Sequence, residues 1–228
     1  YETTQGIEAG IVLEEILLSE VLEESLRESW MHMGEERGIP LRILSKEAFA
    51  KVSVREKPEG VIGIGKSPDR SLSLPEAPEG PLLVASGLEK PGNLGALIRT
   101  AYAAGAAGVI LCDPAVDFEN PQVIRSSRGL VFKLPGWTAT ATQARDLFRE
   151  RGWSVFAADK EGACDLWEIQ WGDSPVIVLG EEHAGLPEEW MSSEVNRVRI
   201  PMREGIDSLN VSVSGALLLY EWKRKFAK

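Results

Sequence analysis

Apolar residues follow a regular alternation of two patterns through the second half of the chain. Four short runs are apolar throughout, which predicts buried strands, and two segments between them place apolar residues at helical spacing. The predicted strands are residues 81–86, 109–112, 154–158 and 176–180, and the predicted helices are residues 93–104 and 140–151. Strands that alternate with helices predict an α/β fold with a mostly parallel sheet, covered by helices on both faces.

The first part of the chain shows a shorter alternation of the same kind, which is typical of a small α/β module. The predicted elements are a strand or helix start at residues 11–18, a helix at 20–38, a strand at 41–44, a helix at 46–52 and a strand at 60–65. Proline and polar residues then dominate a segment that is typical of a linker. The sequence therefore predicts a small α/β domain at residues 1–66, a linker at 67–80 and a larger domain at 81–228.

The stretch from residue 199 to residue 222 changes character three times. A short apolar run ends at Pro201, which has no N–H and so does not belong inside a central strand. A polar, glycine-containing loop follows. A helix is then predicted, because Val213, Leu217 and Tyr220 share one helical face and Ser208 and Asn210 stand where capping residues are expected. A strand, a polar loop and a capped helix in this order are typical of a ligand site.

Composition restricts the class of protein further. At 228 residues and 43% hydrophobic content, the chain is long and apolar enough to bury a sizeable core. The longest apolar runs fall well short of the roughly 20 residues that cross a bilayer, and no signal-peptide pattern opens the chain. We therefore expect a cytoplasmic protein without a membrane segment. Cys112 and Cys164 lack metal-ligand spacing, so we expect reduced thiols and no metal site.

Net charge bears on nucleic-acid binding. The formal charge of −10 is unfavourable for contact with a phosphate backbone, because Lys and Arg supply most of that affinity. The charges are uneven, however: residues 14–36 are strongly acidic, whereas Lys223, Arg224, Lys225 and Lys228 make the end of the chain basic. A local basic patch is compatible with a negative total charge.

Two glycine motifs help to exclude other nucleotide-binding classes. Residues 60–67 fit the phosphate-loop pattern G-x-x-x-x-G-K-[ST], but Val61, Ile62 and Ile64 favour a strand, and Pro68 and Pro75 leave no room for the helix that this motif needs. No G-x-G-x-x-G follows the first strand of the larger domain, so a dinucleotide site of the usual kind is not expected. The glycine-bearing loops instead lie late in the chain, at residues 179–186 and 202–208.

Three segments together resemble the ordered motifs of the SpoU (TrmH-like) RNA 2′-O-ribose methyltransferases. Residues 93–99 (Asn-Leu-Gly-Ala-Leu-Ile-Arg) resemble the first motif and residues 178–186 (Val-Leu-Gly-Glu-Glu-His-Ala-Gly-Leu) the second. Residues 200–202 (Ile-Pro-Met) and 208–213 (Ser-Leu-Asn-Val-Ser-Val) resemble the third. The resemblance covers about residues 80 to 228, and the small domain before it is similar to the ribosomal-protein-like substrate domain that often precedes this one.

The resemblance implies an enzyme that uses S-adenosylmethionine to methylate a ribose 2′-hydroxyl in tRNA or rRNA, without a metal. It also implies that the late loops form a C-terminal trefoil knot around the cofactor, which is a rare exception to the rule that chains do not thread their own loops. Backbone groups and apolar walls would hold the cofactor, with Gly180 allowing close approach. The implied cofactor residues are Leu179, Gly180, Ile200, Met202, Ser208 and Leu209.

The catalytic residues that the resemblance implies are Asn93, Arg99, Glu182, Ser208 and Asn210. A guanidinium almost never gives up its proton, so we expect Arg99 to clamp an RNA phosphate and stabilise the developing oxyanion. Proton removal would then run through phosphate or water. Glu182 would orient Arg99, and Ser208 and Asn210 would order the cofactor loop. We assign no chemistry to His183.

Residues 125–135 resemble the second half of the first motif, in which Ser127 and Gly129 fit a Ser-x-Gly element. Arg128 departs from the residue types that are usual there. Arg125 and Arg128, together with Lys133, would supply a local positive patch. The RNA-contacting residues implied in this way are Arg99, Arg125, Ser127 and Arg128.

The final helix carries more apolar residues than one core requires. Leu217, Leu218, Leu219, Tyr220 and Trp222 lie on more than one of its faces, which predicts a homodimer through the C-terminal domain, as the resemblance also implies. The alternative is a knotted protein that binds RNA or a protein partner without catalysis, which the acidity of the chain favours. The set of motif residues favours the enzyme.

Overall fold

The computed structural model describes residues 1–55, 57–172, 175–181 and 185–226. Two compact units divide the chain, one formed by Tyr1–Asp69 and the other by Arg70–Lys228. Within the described ranges, every helix is too short or too polar to traverse a lipid bilayer.

The first unit is a three-stranded sheet with helices. Its elements are α1 (Glu2–Glu8), β1 (Leu13–Ser19), α2 (Glu24–Arg37), β2 (Leu41–Leu44), α3 (Lys46–Val52) and β3 (Val61–Gly65). The sheet order is β2-β1-β3, with β2 parallel and β3 antiparallel to β1. Ile16, Leu18 and Phe49 are almost fully buried between these elements. Most of the residues that fit the phosphate-loop pattern form β3 and pair with β1. This segment is therefore a strand and not a phosphate-binding turn.

The second unit carries the larger sheet. Its elements are β4 (Leu82–Ser86), α4 (Pro91–Ala104), β5 (Gly108–Cys112), α5 (Pro121–Ser126), β6 (Gly136–Ala139), α6 (Ala141–Glu150), β7 (Val155–Ala158), β8 (Cys164–Asp165), β9 (Val176–Leu179), β10 (Val195–Arg199) and α7 (Val211–Phe226). Three short 3₁₀ helices lie at Leu130–Phe132, Leu166–Glu168 and Glu188–Trp190. The strand order is β6-β5-β4-β9-β7-β10-β8, and all of these pairs are parallel.

Alternate residues of β4 show that helices cover both faces of this sheet. Leu83 and Ala85 belong to a core that includes residues of α4 and α7, whereas Leu82 and Val84 belong to a second core that includes Phe148 of α6. Successive side chains of a strand point to opposite faces, so each core lies on one side of the sheet. The predicted α/β architecture, with a mostly parallel sheet between helices, is confirmed.

Four elements, α1, α5, β6 and β8, were not predicted. β6 is a strand of four residues at the edge of the sheet, and α5 has six residues. Elements this short do not show a full period of apolar residues. The position of β6 depends on tertiary packing. Its first residue, Gly136, lies so close to Phe118 that a Cβ there would be 2.9 Å from the ring.

The proline-rich segment packs on the second unit from Arg70 onward. The Arg70 guanidinium lies 4.6 Å from the ring centroid of Phe118, and its Nε donates to Glu119 Oε1 at 3.1 Å. Arg151 donates to the carbonyl oxygens of Leu74 and Pro75. The segment is therefore bonded to the second unit through its side chains and backbone.

α7 packs directly on α4 and on the end of β9. A Cβ on Gly215 would lie 2.5 Å from Leu97 of α4 and 2.9 Å from Leu179 of β9, which is closer than real side chains approach. Any side chain at this position would require these two buried leucines to shift. The contact brings the start of α7 next to the carboxyl end of β9.

A buried hydrogen bond connects the second predicted motif region to the end of β4. Trp190 is fully buried in a 3₁₀ helix, and its Nε1 donates to Ser86 Oγ at 3.2 Å. The indole ring also stacks on Phe148 at a centroid distance of 6.3 Å. A buried donor and acceptor that satisfy each other contribute about 1 kcal/mol, and separating them costs more.

We expect Trp190→Phe to destabilise the protein more than Trp153→Phe does. Both indoles stack on Phe148, but the Trp190 indole also donates a buried hydrogen bond to Ser86. In a Ser86→Ala background the cost of Trp190→Phe should fall by about 1 kcal/mol, because the hydrogen bond is already absent. Urea unfolding followed by circular dichroism measures these differences. Additive costs for Trp190 and Ser86 would contradict the assigned bond.

Candidate active site

A cavity of about 420 Å³ lies in the second unit, at the carboxyl ends of β7, β9 and β10 and beside the start of α7. Ala158, Leu179, Val198 and Val211 line it from these four elements. In sheets of parallel strands, ligands bind at this edge, and the volume lies within the usual range for small-molecule sites. The position of the cavity identifies it as the candidate ligand site.

All of the predicted cofactor residues line this cavity: Leu179, Gly180, Ile200, Met202, Ser208 and Leu209. They come from three separate stretches of the sequence, which the packing of α7 brings together. Leu179 is buried in the sheet, and Ile200, Met202 and Leu209 are half-buried at the cavity wall. Their apolar side chains and the backbone groups between them fit a ligand with a planar, largely apolar part.

Gly180 is required for a reason other than the predicted one. A Cβ on Gly180 would lie 2.3 Å from the carbonyl oxygen of Gly185. The Glu181 N–H donates to that oxygen at 2.9 Å, and the Gly185 N–H donates to the Glu181 carbonyl at 3.0 Å. The missing side chain therefore lets the loop after β9 fold back on itself; close approach of a ligand to Gly180 stays a prediction.

The loop after β7 also lines the cavity, and sequence reasoning missed it. Asp159, Lys160 and Glu161 belong to this loop, and Arg197 of β10 forms an ion pair with Asp159. Asp159 Oδ1 also accepts from the Glu161 N–H at 3.0 Å. The signal that could have found them is their place directly after a predicted strand, where parallel sheets hold their ligands.

Asn210 joins the starts of two helices. Its Oδ1 accepts from the Ser212 N–H at 3.0 Å, which caps α7, and its Nδ2 donates to Asn93 Oδ1 of α4 at 3.1 Å. The structure thus brings two predicted catalytic residues into direct contact. Ser208 lines the cavity but precedes the cap by two residues, so of the two predicted capping residues only Asn210 is the N-cap of α7.

Arg99 is exposed on α4. In the described part of the chain, no residue forms a hydrogen bond or ion pair with it. A guanidinium that faces solvent in this way is accessible to an anionic ligand. Glu182, which was predicted to orient Arg99, lies outside the described residues, as does His183.

Arg125 and Arg128 are both exposed at the end of α5. Arg128 adopts a φ of 54°, which is uncommon for a residue with a side chain. The helix lies very close to α4, because a Cβ on Gly95 would meet Ser126 Oγ at 1.8 Å. This contact holds Arg125, at the end of α5, and Arg128, just after it, on a segment that packs against α4.

Ser127 does not contact RNA as predicted, and that prediction is wrong. Its side chain is fully buried, with a relative exposure of 0%. Its Oγ donates to the Ile124 carbonyl at 3.0 Å and accepts from the Val131 N–H at 3.4 Å. The small hydroxyl therefore closes the turn between α5 and the next 3₁₀ helix, and this buried role explains the Ser-x-Gly element.

Both cysteines are free thiols. Burial, with the nearby charge of Asp113, raises the pKa of Cys112 to about 12, and burial also raises the pKa of Cys164. Both therefore stay protonated near neutral pH and are poor nucleophiles. Across the described ranges, no group of three or more His, Cys, Asp or Glu side chains is arranged to hold a metal ion.

Comparison with known proteins shows which family the chain matches. Residues 81–220 match the SpoU rRNA Methylase family. The chain is 34% identical over 226 residues to the 23S rRNA (adenosine(1067)-2'-O)-methyltransferase of Streptomyces laurentii, covering 97% of this chain and 83% of that one. It is 30% identical over 185 residues to the 23S rRNA (guanosine(2553)-2'-O)-methyltransferase RlmP of Bacillus subtilis (strain 168), covering 81% and 73%.

Solved structures are similar over nearly the whole chain. One, described as an RNA 2'-O ribose methyltransferase, has a TM-score of 0.81 at 38% identity and covers 98% of this chain and 85% of its own. The AdoMet-bound rRNA methyltransferase from Sinorhizobium meliloti has a TM-score of 0.89 at 25% identity, with coverages of 100% and 85%. The α/β fold of this chain is thus shared with these methyltransferases. The chain belongs to the SpoU rRNA methylase family.

We expect Asn210→Ala to lower the free energy of unfolding by about 1 kcal/mol, because α7 loses its capping acceptor. Asn210→Asp keeps an acceptor for the Ser212 N–H and should recover most of that loss. Urea unfolding of the two variants measures the difference. Equal stability of the alanine variant and the unchanged protein would contradict the assigned cap.

Proposed function

We propose that this chain transfers a methyl group from S-adenosylmethionine to a ribose 2′-hydroxyl of 23S ribosomal RNA. The observation that carries the proposal is the cavity, which all of the predicted cofactor residues line beside the Asn93–Asn210 contact. Both relatives described above are named as enzymes that act on 23S rRNA, which favours rRNA over tRNA. Membership in a family of methylases favours the enzyme over the non-catalytic alternative. Such an enzyme would work in the cytoplasm, where ribosomes are.

S-adenosylmethionine supplies a methyl group on a positively charged sulfur. The residues of the chain would hold it and exclude water: Leu179, Ile200 and Leu209 form apolar walls, and the strand ends offer backbone N–H and C=O groups. The Gly180–Gly185 contact supports one wall, and the capped start of α7 supports another. Such fixed walls place a ligand without reorganisation during the reaction.

Arg99 would act on the RNA. Its guanidinium is permanently charged and presents parallel N–H donors that match a phosphate. It would position the ribose and stabilise negative charge on the 2′-oxygen, while the proton leaves to phosphate or water. Arg125 and Arg128 would bind neighbouring phosphates, and these local cations would offset part of the net charge of −10. Asn93 and Asn210 would order the loop beside the cavity.

Two features of the family remain part of this proposal. The stretch that follows β10 would pass through a loop of the second unit before α7 packs on α4, which would form the trefoil knot. The small first unit, Tyr1–Asp69, would contact the RNA substrate. The packing of α7 on α4 and β9 supports the first feature.

We also propose a homodimer through the second unit. Tyr102 of α4 and Val213 and Tyr220 of α7 are large apolar side chains that are 44%, 46% and 50% exposed. Lys223 Nζ donates to the Ala103 carbonyl at 2.9 Å, which places the two helices side by side. Two of the residues first used to predict this interface, Leu218 and Leu219, are fully buried within the unit and take no part in it. In the dimer, each Arg99 would lie near the cavity of the partner.

Arg99→Ala is expected to reduce methyl transfer by at least 100-fold while the affinity for S-adenosylmethionine changes by less than about three-fold, because Arg99 would contact only the RNA. Arg99→Lys should recover little, since an ammonium cannot make the bidentate contact. Arg149→Ala, which removes an exposed arginine from α6, is the matched control. Transfer of labelled methyl to 23S rRNA and calorimetric binding measure the two effects. Normal turnover of the alanine variant would refute this role.

Sedimentation tests the dimer. At micromolar concentration we expect the unchanged protein to sediment as a dimer and Val213→Glu/Tyr220→Glu as a monomer, because burying two carboxylates at an apolar interface is costly. Val21→Glu, at a 65% exposed apolar residue of the first unit, is the control and should leave the dimer intact. A monomeric unchanged protein with full activity would contradict the proposal.

A further inference from the structure

The cavity contains more carboxylates than cations. Among the described lining residues, the acids are Asp159, Glu161, Glu181 and Asp207 and the bases are Lys160 and Arg197. Arg197 is already paired with Asp159 and lies 3.9 Å from Glu161. The site as a whole is therefore negative at neutral pH.

Glu181 and Asp207 are the acids of the cavity whose charge is least compensated. Neither side chain forms a hydrogen bond or ion pair with another residue in the part of the chain that the structure describes. Glu181 is held in place by its backbone bonds to Gly185, whereas Asp207 lies in the exposed loop before α7. The two line the cavity from different segments of the chain, one directly after β9 and the other in the loop before α7.

We infer that Glu181 and Asp207 make this cavity select the cationic S-adenosylmethionine over its neutral-sulfur product, S-adenosylhomocysteine. The inference rests on the proposed function and names a property of the same site. During transfer the bond from sulfur to the methyl carbon breaks, its electron pair stays on sulfur, and the carbon bonds to the 2′-oxygen, which loses its proton. The ligand left in the cavity thus has one positive charge fewer than before.

This difference isolates the electrostatic contribution. Both ligands carry the same adenosine, amino and carboxylate groups, so apolar walls and hydrogen bonds to those groups act on both equally. A ligand changes an equilibrium only through an interaction that differs between the two states. A negative cavity attracts the sulfonium and not the thioether, so it favours the substrate and weakens the hold on the product after each turnover.

The expected size is modest because the carboxylates are partly solvated. Exposed charges act at a high effective dielectric and are screened by salt. We expect removal of both charges to lower the ratio of the Kd of S-adenosylhomocysteine to the Kd of S-adenosylmethionine by about five-fold at low ionic strength. The same ratio should fall in the unchanged protein when salt is raised to about 1 M.

Isothermal titration of the full chain with three ligands tests the inference. The variant is Glu181→Gln/Asp207→Asn, and the control is Glu188→Gln/Glu204→Gln, which removes two charges from the same two segments outside the cavity lining. The third ligand is sinefungin, in which a protonated amine replaces the methyl-sulfonium. Thermal melting of each variant confirms that it is folded.

We expect the cavity variant to lose affinity for S-adenosylmethionine and sinefungin but to keep its affinity for S-adenosylhomocysteine, and the control to keep the original ratio. An unchanged ratio in the cavity variant, or an equal loss for all three ligands, would overturn the inference and leave the proposed function standing. An equal fall of the ratio in the control would also overturn it, because the effect would then be one of total charge. An unchanged protein that binds none of the ligands would overturn both.

Discussion

The contact that α7 makes through Gly215 determines where most other parts of the site lie. With no side chain there, α7 lies so close to Leu97 of α4 and Leu179 of β9 that a Cβ at this position would require both buried leucines to shift. The start of the helix then reaches the carboxyl edge of the sheet, where Asn210 caps it and contacts Asn93. The loop between β10 and α7 contributes Ile200, Met202, Ser208 and Leu209 to the wall of the cavity.

The charges of the described residues are compatible with the two ligands of an RNA 2′-O-methyltransferase. Its methyl donor is a cation at sulfur, and its acceptor is a polyanion, so neighbouring regions need potentials of opposite sign. The described cavity lining is rich in carboxylates, and exposed arginines lie on α4 and α5. An acidic total composition is compatible with RNA chemistry because the cations are local.

Small residues of the motifs act through packing as much as through ligands. Gly95 accepts the close approach of Ser126, Gly180 that of Gly185, and Ser127 closes a buried turn with its hydroxyl. A motif indicates that a certain residue type is needed at a position. It does not show whether that residue contacts a ligand or packs against a neighbouring part of the protein. Burial separates the two cases, which is why Ser127 had to be removed from the predicted RNA surface.

The sequence by itself predicted a mostly parallel sheet and most of the strands and helices of the second unit, because periodicity is a local property of the chain. The resemblance of its motifs also indicated six residues that line the cavity. The sequence could not predict β6 or α5, which are too short to show a period. Nor could it predict the pairing of Asp159 with Arg197 or the Asn93–Asn210 bond. Those contacts join residues far apart in the chain, and only the packing of the helices on the sheet brings them within bonding distance.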